Sequence, residues 1–180
     1  MNVGMEGALV IGGIWVEPSS EIGREHLMTT VTAGEWESGG RVRVKRLLTA
    51  DRRVVKMPDW LTVSSEVARL RDKLSGQPRT VILEHIDGGM MLIDYDARYG
   101  HYVAVQDDEQ VGDMVLIDAQ ADQQFVECRV GERDLALPRY MFVSAHQAQK
   151  AVEHFAHFGG RCERSQWRDA FALTGARMSG

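Results

Sequence analysis

Two aspartates one residue apart, Asp94 and Asp96, are the first candidates for chemistry in this chain. On a strand, residues i and i+2 face the same side, so both carboxylates would project together, an arrangement that general acid–base pairs use. Met90 and Leu92 precede them on that face, however, and the same pattern describes a strand leaving the core for water with its acids solvated. His154 and His157 lie three apart on one predicted helix, a spacing that suits two ligands of a metal ion. No third ligand is signalled nearby, and the pair reads instead as a polar helix face beside Phe155 and Phe158.

The other constellations that carry chemistry are missing from the sequence. Cys128 and Cys162 have no CxxC spacing and read as reduced thiols. There is no nucleophile elbow, no phosphate-binding or dinucleotide loop, and no zinc-deaminase signature. The residues therefore argue for no reaction class, and the chain reads as a non-enzyme without cofactor or metal.

Charge is distributed unevenly. Residues 80–134 hold thirteen acids against three bases, a net of −10 within a chain whose total is −5. Asp107, Asp108, Glu109 and Asp113 form the densest group. With Asp94, Asp96 and Tyr99 they make up the candidate partner-binding surface, because clustered carboxylates steer association with a positively charged partner. Plain solubility of exposed loops is the competing account of any one of them. Acidity also argues against nucleic-acid binding, which depends on clustered Lys and Arg.

The elements that would position these residues are legible from periodicity. Four apolar runs, Val81 to Ile86, Met90 to Tyr95, Tyr102 to Val105 and Met114 to Ile117, are punctuated by Gly and Asp and suit strands. Their short connectors, Asp87-Gly88-Gly89 and Ala97 to Gly100, leave no room for a crossover helix, so the strands should form an antiparallel meander. Upstream, Arg41 to Leu48 alternates bases with Val42 and Val44, and with Val54 to Met57 it reads as a hairpin. Ser64 to Ser75 reads as an amphipathic helix on Val67, Leu70 and Leu74, with Ser64 as N-cap. Phe125 to Val130 and Ala136 to Val143 read as two further strands. Ser144 and Gln147 then form a capping box ahead of a helix on Ala148, Ala151, Val152 and Phe155, closed by Gly159-Gly160.

The fold expected is thus α+β, an antiparallel meander packed against an N-terminal and a C-terminal α-helix. Residues 41–170 form one domain, 171–180 a tail, and 1–40 an extension that is either an edge strand or partly disordered. That extension contains the run ALVIGGIWV, with Gly12-Gly13 at a turn, and Met28 is an alternative start. No segment has the length of a membrane span and no basic leader precedes the first apolar run, so the expected location is cytoplasmic.

The run FVSAHQAQKAVEHFAHFGGRCERSQWRD, residues 142–169, resembles the C-terminal signature of the first immunity-protein family of bacterial polymorphic toxin systems. Val143, Ser144, Ala148, Ala151, Phe155, Gly159 and Trp167 stand at the matching positions. ILEHIDGGMMLIDYD and HYVAV after a helix are similar to the family's layout, which extends the resemblance over roughly residues 60–169. A proline that such proteins place after the helix is replaced here by Cys162 and Glu163. The resemblance implies an inhibitor that binds a cognate toxin C-terminal domain, often a nucleic-acid-targeting deaminase or nuclease. A small-molecule-binding or regulatory α+β domain without catalysis remains the alternative.

Overall fold

The computed structural model describes residues 9–11, 14–16, 41–72, 79–106, 113–131 and 133–170. Among them, β1 (Leu9–Ile11) and β2 (Ile14–Val16) pair antiparallel as a separate two-stranded sheet rather than as an edge of the main one. The main sheet is built from β3 (Val44–Leu48), β4 (Val54–Lys56), β5 (Val81–His85), β6 (Met90–Asp96), β7 (Gly100–Gln106) and β8 (Met114–Leu116). The expected meander is present: β5, β6, β7 and β8 are neighbours in sequence order, and β3 and β4 extend the sheet beyond β5.

The upstream hairpin departs from strict alternation. A register shift between Val44 and Arg46 lets Val44 and Leu47 both reach the core, fully buried, while Lys45 and Arg46 turn to the half-buried Glu84 at 3.0 and 2.8 Å. Arg43 pairs with Asp87 at 3.1 Å.

Two helices follow from their caps and stripes. Helix α1 (Trp60–Arg69) starts four residues before the expected position because Asp59, not Ser64, is its N-cap; Asp59 Oδ1 accepts from the Thr62 amide at 2.8 Å. Val63 and Val67, with Leu70 in the 3₁₀ turn Leu70–Asp72, form its buried stripe, and Leu74 lies outside the described residues. Ser64 instead accepts from Gln149 Nε2 of the second helix at 3.3 Å. That helix, α2 (Ala145–Phe158), has the expected capping box, with the Ser144 hydroxyl accepting from the Gln147 amide and Gln147 Oε1 accepting from the Ser144 amide. Neither helix is terminal among the described residues: β3 and β4 precede α1, and β12 (Trp167–Asp169) follows α2.

The stretch expected as two further strands, Phe125 to Val130 and Ala136 to Val143, divides differently. Strands β9 (Phe125–Val130) and β10 (Arg133–Pro138) form a separate two-stranded sheet. Pro138, which lacks a donor, ends β10; a 3₁₀ turn over Arg139–Met141 follows, and β11 (Phe142–Val143) returns to the main sheet. There it pairs with Tyr102 and His101 of β7, on the flank whose other half, Ala104 and Val105, pairs with β8. On the far side of β8, β12 closes the edge, with Trp167 opposite Leu116.

The main sheet is consequently covered on both faces. Leu83, Met91, Ile93, Val103 and Val105 pack under the helices against Val67, Val152 and Phe155. Ile82, Leu92, Tyr102, Ala104 and Val115 pack under the β9–β10 hairpin against Cys128, Val130 and Leu137. Double coverage explains why these strands are continuous apolar runs with little polar alternation. Each large side chain so buried contributes on the order of 1.5–3 kcal/mol.

Candidate functional site

The seven expected partner-binding residues do not form one surface. Asp94, Asp96 and Tyr99 lie at the end of the sheet where β6 turns into β7, whereas Asp113 precedes β8 at the opposite end, beyond the pair Val105 and Met114. The six steps from Met90 to Asp96 place those ends about 20 Å apart. Asp107, Asp108 and Glu109 lie outside the described residues; their flanks, Gln106 and Asp113, stand at the same end as the β5–β6 turn that carries Asp87.

Asp94 and Asp96 do face one side together, but that side is the interior, under the β9–β10 hairpin, and not water. Asp94 is 3% exposed. Its Oδ2 accepts from Thr80 Oγ1 at 2.7 Å and from the Gly131 amide at 2.5 Å, and its Oδ1 accepts from the Tyr95 amide at 2.6 Å. Burial pushes its carboxyl up to about 6 against the pull of these donors. Asp96 is also desolvated, yet the hydrogen bonds and charge of Arg98 outweigh burial and hold it below the usual carboxylate range. Arg98 reaches Asp96 Oδ2 at 3.0 Å and the Glu127 carbonyl at 2.8 Å, so this acid too fastens the hairpin to the sheet. Solvated-end and acid–base readings both give way to a structural one for this pair.

Asp113 is half-buried, and its carbonyl accepts from the Ala170 amide at 2.9 Å. Tyr99 is half-buried, its ring 5.6 Å from Phe142 and capped by the guanidinium of Arg98 at 4.8 Å. The His154 ring meets Phe158 at 5.2 Å, and the His157 ring meets Trp60 at 5.9 Å. Among the described residues no group of three or more His, Cys, Asp or Glu side chains is placed to hold a metal ion. No helix among them is long and apolar enough to cross a membrane.

The structure assembles a different constellation, which the sequence did not single out. At the β6–β7 end, a cavity of about 290 Å³ opens between the helix-covered face of the sheet and the start of α2. Tyr95 and His101 line it from paired positions on β6 and β7, with their rings 4.9 Å apart. Arg71 lines it from the 3₁₀ turn after α1, and Arg139 from the turn before β11. Ser144 and Ala145 bring the first turn of α2 to its rim, because β11 seats Val143 opposite His101. Gly100 lets the strands close there: its φ is +106°, and a Cβ would stand 2.6 Å from the Val143 carbonyl oxygen.

His101 is 3% exposed, and its Nδ1 has no hydrogen-bond partner among the described residues. Burial, with the charge of Arg71, pushes its pKa down to about 4, so the ring is neutral near pH 7. Arg71 is exposed, while Arg139 donates from one nitrogen to the Phe142 carbonyl at 3.0 Å and stands 5.8 Å from the Tyr99 ring. Asp118 also lines the cavity, its Oδ1 accepting from the Gln120 amide at 3.0 Å. These residues come from separate elements with no shared spacing. The one signal for them was an imidazole, His101, at an inward position of a strand that continues with Val103 and Val105.

No protein-family model, no curated protein and no solved structure matches the chain.

Proposed function

We propose that this chain is a non-catalytic immunity protein that binds and neutralises a cognate bacterial toxin domain, a nucleic-acid-targeting deaminase or nuclease, through an acidic surface. The observation that carries the reading is the net charge of −10 over residues 80–134, together with the end of the sheet at which two of its acids stand. Asp87 and Asp113 belong to that end, and the chain carries Asp107, Asp108 and Glu109 between Gln106 and Asp113. A toxin that handles nucleic acid carries a positively charged groove, and such a group of carboxylates would steer into it. The likeness of residues 142–169 to the immunity family supports the same reading. Asp94 and Asp96, being enclosed under the β9–β10 hairpin, are left out of the proposed contact.

A stable complex of this kind buries about 1,200–2,000 Å² in total. The test is co-expression with the C-terminal domain of a secreted toxin encoded beside this chain. Relief of toxicity and co-purification are expected. Changing Asp107, Asp108 and Glu109 together to Lys should slow association at least about ten-fold at low salt, with the difference shrinking as salt rises. Continued toxicity without co-purification would overturn the reading, and an unchanged association rate would remove this connector from the contact. A second reading, a small-molecule-binding domain, is favoured by the Arg-lined cavity at the opposite end of the sheet.

A further inference from the structure

We infer that the outer flank of β4 is a docking edge for an extended segment of another protein, one in which apolar residues adjoin an acidic residue. Nothing in this inference depends on toxin binding, since it uses the bases and open backbone of β4 and none of the acids of the proposed toxin contact.

Strand β4 ends the main sheet, and no strand lies beyond it among the described residues. Its bonding to β3 uses alternate residues. The Thr49 amide donates to the Arg53 carbonyl at 2.9 Å and the Met57 amide to the Lys45 carbonyl at 3.0 Å, so Arg53, Val55 and Met57 turn their main-chain groups to β3. Val54 and Lys56, in between, aim their amides and carbonyls outward, where no described residue meets them. Positive φ at Arg52 (62°) and Met57 (48°) ends the strand on either side, so the open stretch is the three residues of β4.

The side chains along this edge select the occupant. Residues 43–56 carry six bases and one acid. Glu84 and Asp87 engage three of those bases, Arg43, Lys45 and Arg46, whereas Lys56 has no ion-pair partner among the described residues. Lys56 stands opposite Arg46, and Arg46 opposite Glu84, so charge runs acid, base, base toward the edge, and an acid is the complement that a further strand would set beside Lys56. The neighbouring row, Leu92, Ile82, Leu48 and Val54, is apolar throughout and runs from the fully buried Leu92 to Val54, which is 53% exposed. An apolar residue opposite Val54 would complete that row. Val54, Met57 and Leu61 are three of the five large apolar side chains left exposed among the described residues, and all three fall within residues 54–61. The segment that fits therefore carries an acid and an apolar residue two apart, with a third residue between them beside the half-buried Val55. A second copy of the chain is a poor occupant, because two such edges would bring like-charged hairpins together.

The experiment titrates the full chain with the capped peptide Ser-Glu-Val-Val-Val-Glu-Ser, whose symmetric order suits parallel or antiparallel addition. The same peptide with lysine for both glutamates is the control. Backbone amide resonances, amide exchange and sedimentation are followed. Saturable binding with a Kd of about 10 µM to 1 mM is expected, with the Val54 and Lys56 amides shifting and gaining protection from exchange. The lysine peptide should bind at least about ten-fold more weakly, and Lys56→Glu should reverse that preference, which a loss of folding would not do. Lys56→Pro removes an outward donor while sparing the bonds between Leu47 and Val55, and should weaken the glutamate peptide about ten-fold. The inference is overturned if the glutamate peptide does not saturate, if both peptides bind equally, or if the Val54 and Lys56 amides are protected before any peptide is added. It is also overturned if the chain sediments as a dimer that Lys56→Pro dissociates, since a second copy then holds the edge.

Discussion

The backbone amide of Gly131, at the turn of the β9–β10 hairpin, donates to the carboxylate of Asp94 in the main sheet across a separation of 37 residues. Asp94 thereby acts as a clasp between two layers. Asp94→Ala should cost about 2–3 kcal/mol, because it strands the Gly131 and Tyr95 amides as well as emptying space. Urea unfolding checks this; a loss below about 0.5 kcal/mol would mean the hairpin is held by its apolar contacts alone.

Asp94 also makes stability depend on pH in a defined direction. Burial raises its carboxyl from 3.8 to about 6, so between those values the folded chain binds more protons than the unfolded one. This contribution is present in full below pH 3.8, declines as pH rises through 6, and is flat above. Asp94→Asn cannot titrate. The stability gap between the native protein and that variant should widen by up to about 3 kcal/mol from pH 7 to pH 4. A gap that stays constant across that range would show that the donors, not burial, dominate this carboxyl.

Gly159 ends α2 with φ at +71°, and a Cβ there would lie 2.9 Å from His85 Nδ1. His85 is itself fully packed, its ring 5.7 Å from that of Phe155. Gly159→Ala therefore combines backbone strain with a clash and should cost about 1–3 kcal/mol. Thermal unfolding provides the measurement, and a variant that melts with the native protein would contradict the closeness of the two groups.

Ser144→Ala removes one half of the capping box and should cost about 1 kcal/mol, whereas Ser64→Ala should cost markedly less, since Asp59 holds the cap of α1. Equal losses at the two serines would argue that α1 begins at Ser64 after all.

The thiols should differ in reactivity. Burial pushes Cys128 up to about 11, with the charge of Asp96 adding to it, while Cys162 is half-buried. At pH 8 iodoacetamide should add once to the folded chain, at Cys162, and twice in denaturant. Early modification of Cys128 would mean that the hairpin opens readily.

Much of the meander could be read from residue order because local cues decide it. Gly88 at φ +100° and Gly100 at φ +106° stand at the two hairpin turns, where the short connectors promised reversals. The capping box of α2 was visible for the same reason. The start of α1 was not, since Pro58 reads as a break although Asp59 directly after it caps the helix. Which strands share a sheet was also illegible. Phe125 to Val130 carries the same alternation whether it extends the meander or lies across it, and the turn at Arg139–Met141 that separates the two outcomes follows from tertiary packing. Asp94 and Asp96 were placed on one face correctly. Periodicity reports only that two side chains share a side, and the hairpin that encloses this one arrives thirty residues later. The cavity draws on separate elements and has no linear signature.

Strand β7 borrows half of one flank from Phe142 and Val143, two residues that are synthesised some forty positions after it. A nascent chain that has emerged only as far as β8 holds an open slot in the middle of its sheet, with the imidazole of His101 and the ring of Tyr102 uncovered on either side of it. Closure of the domain must await delivery of that plug and the helix attached to it, which makes the late-emerging segment the gatekeeper of maturation and ties assembly to contacts of long sequence separation.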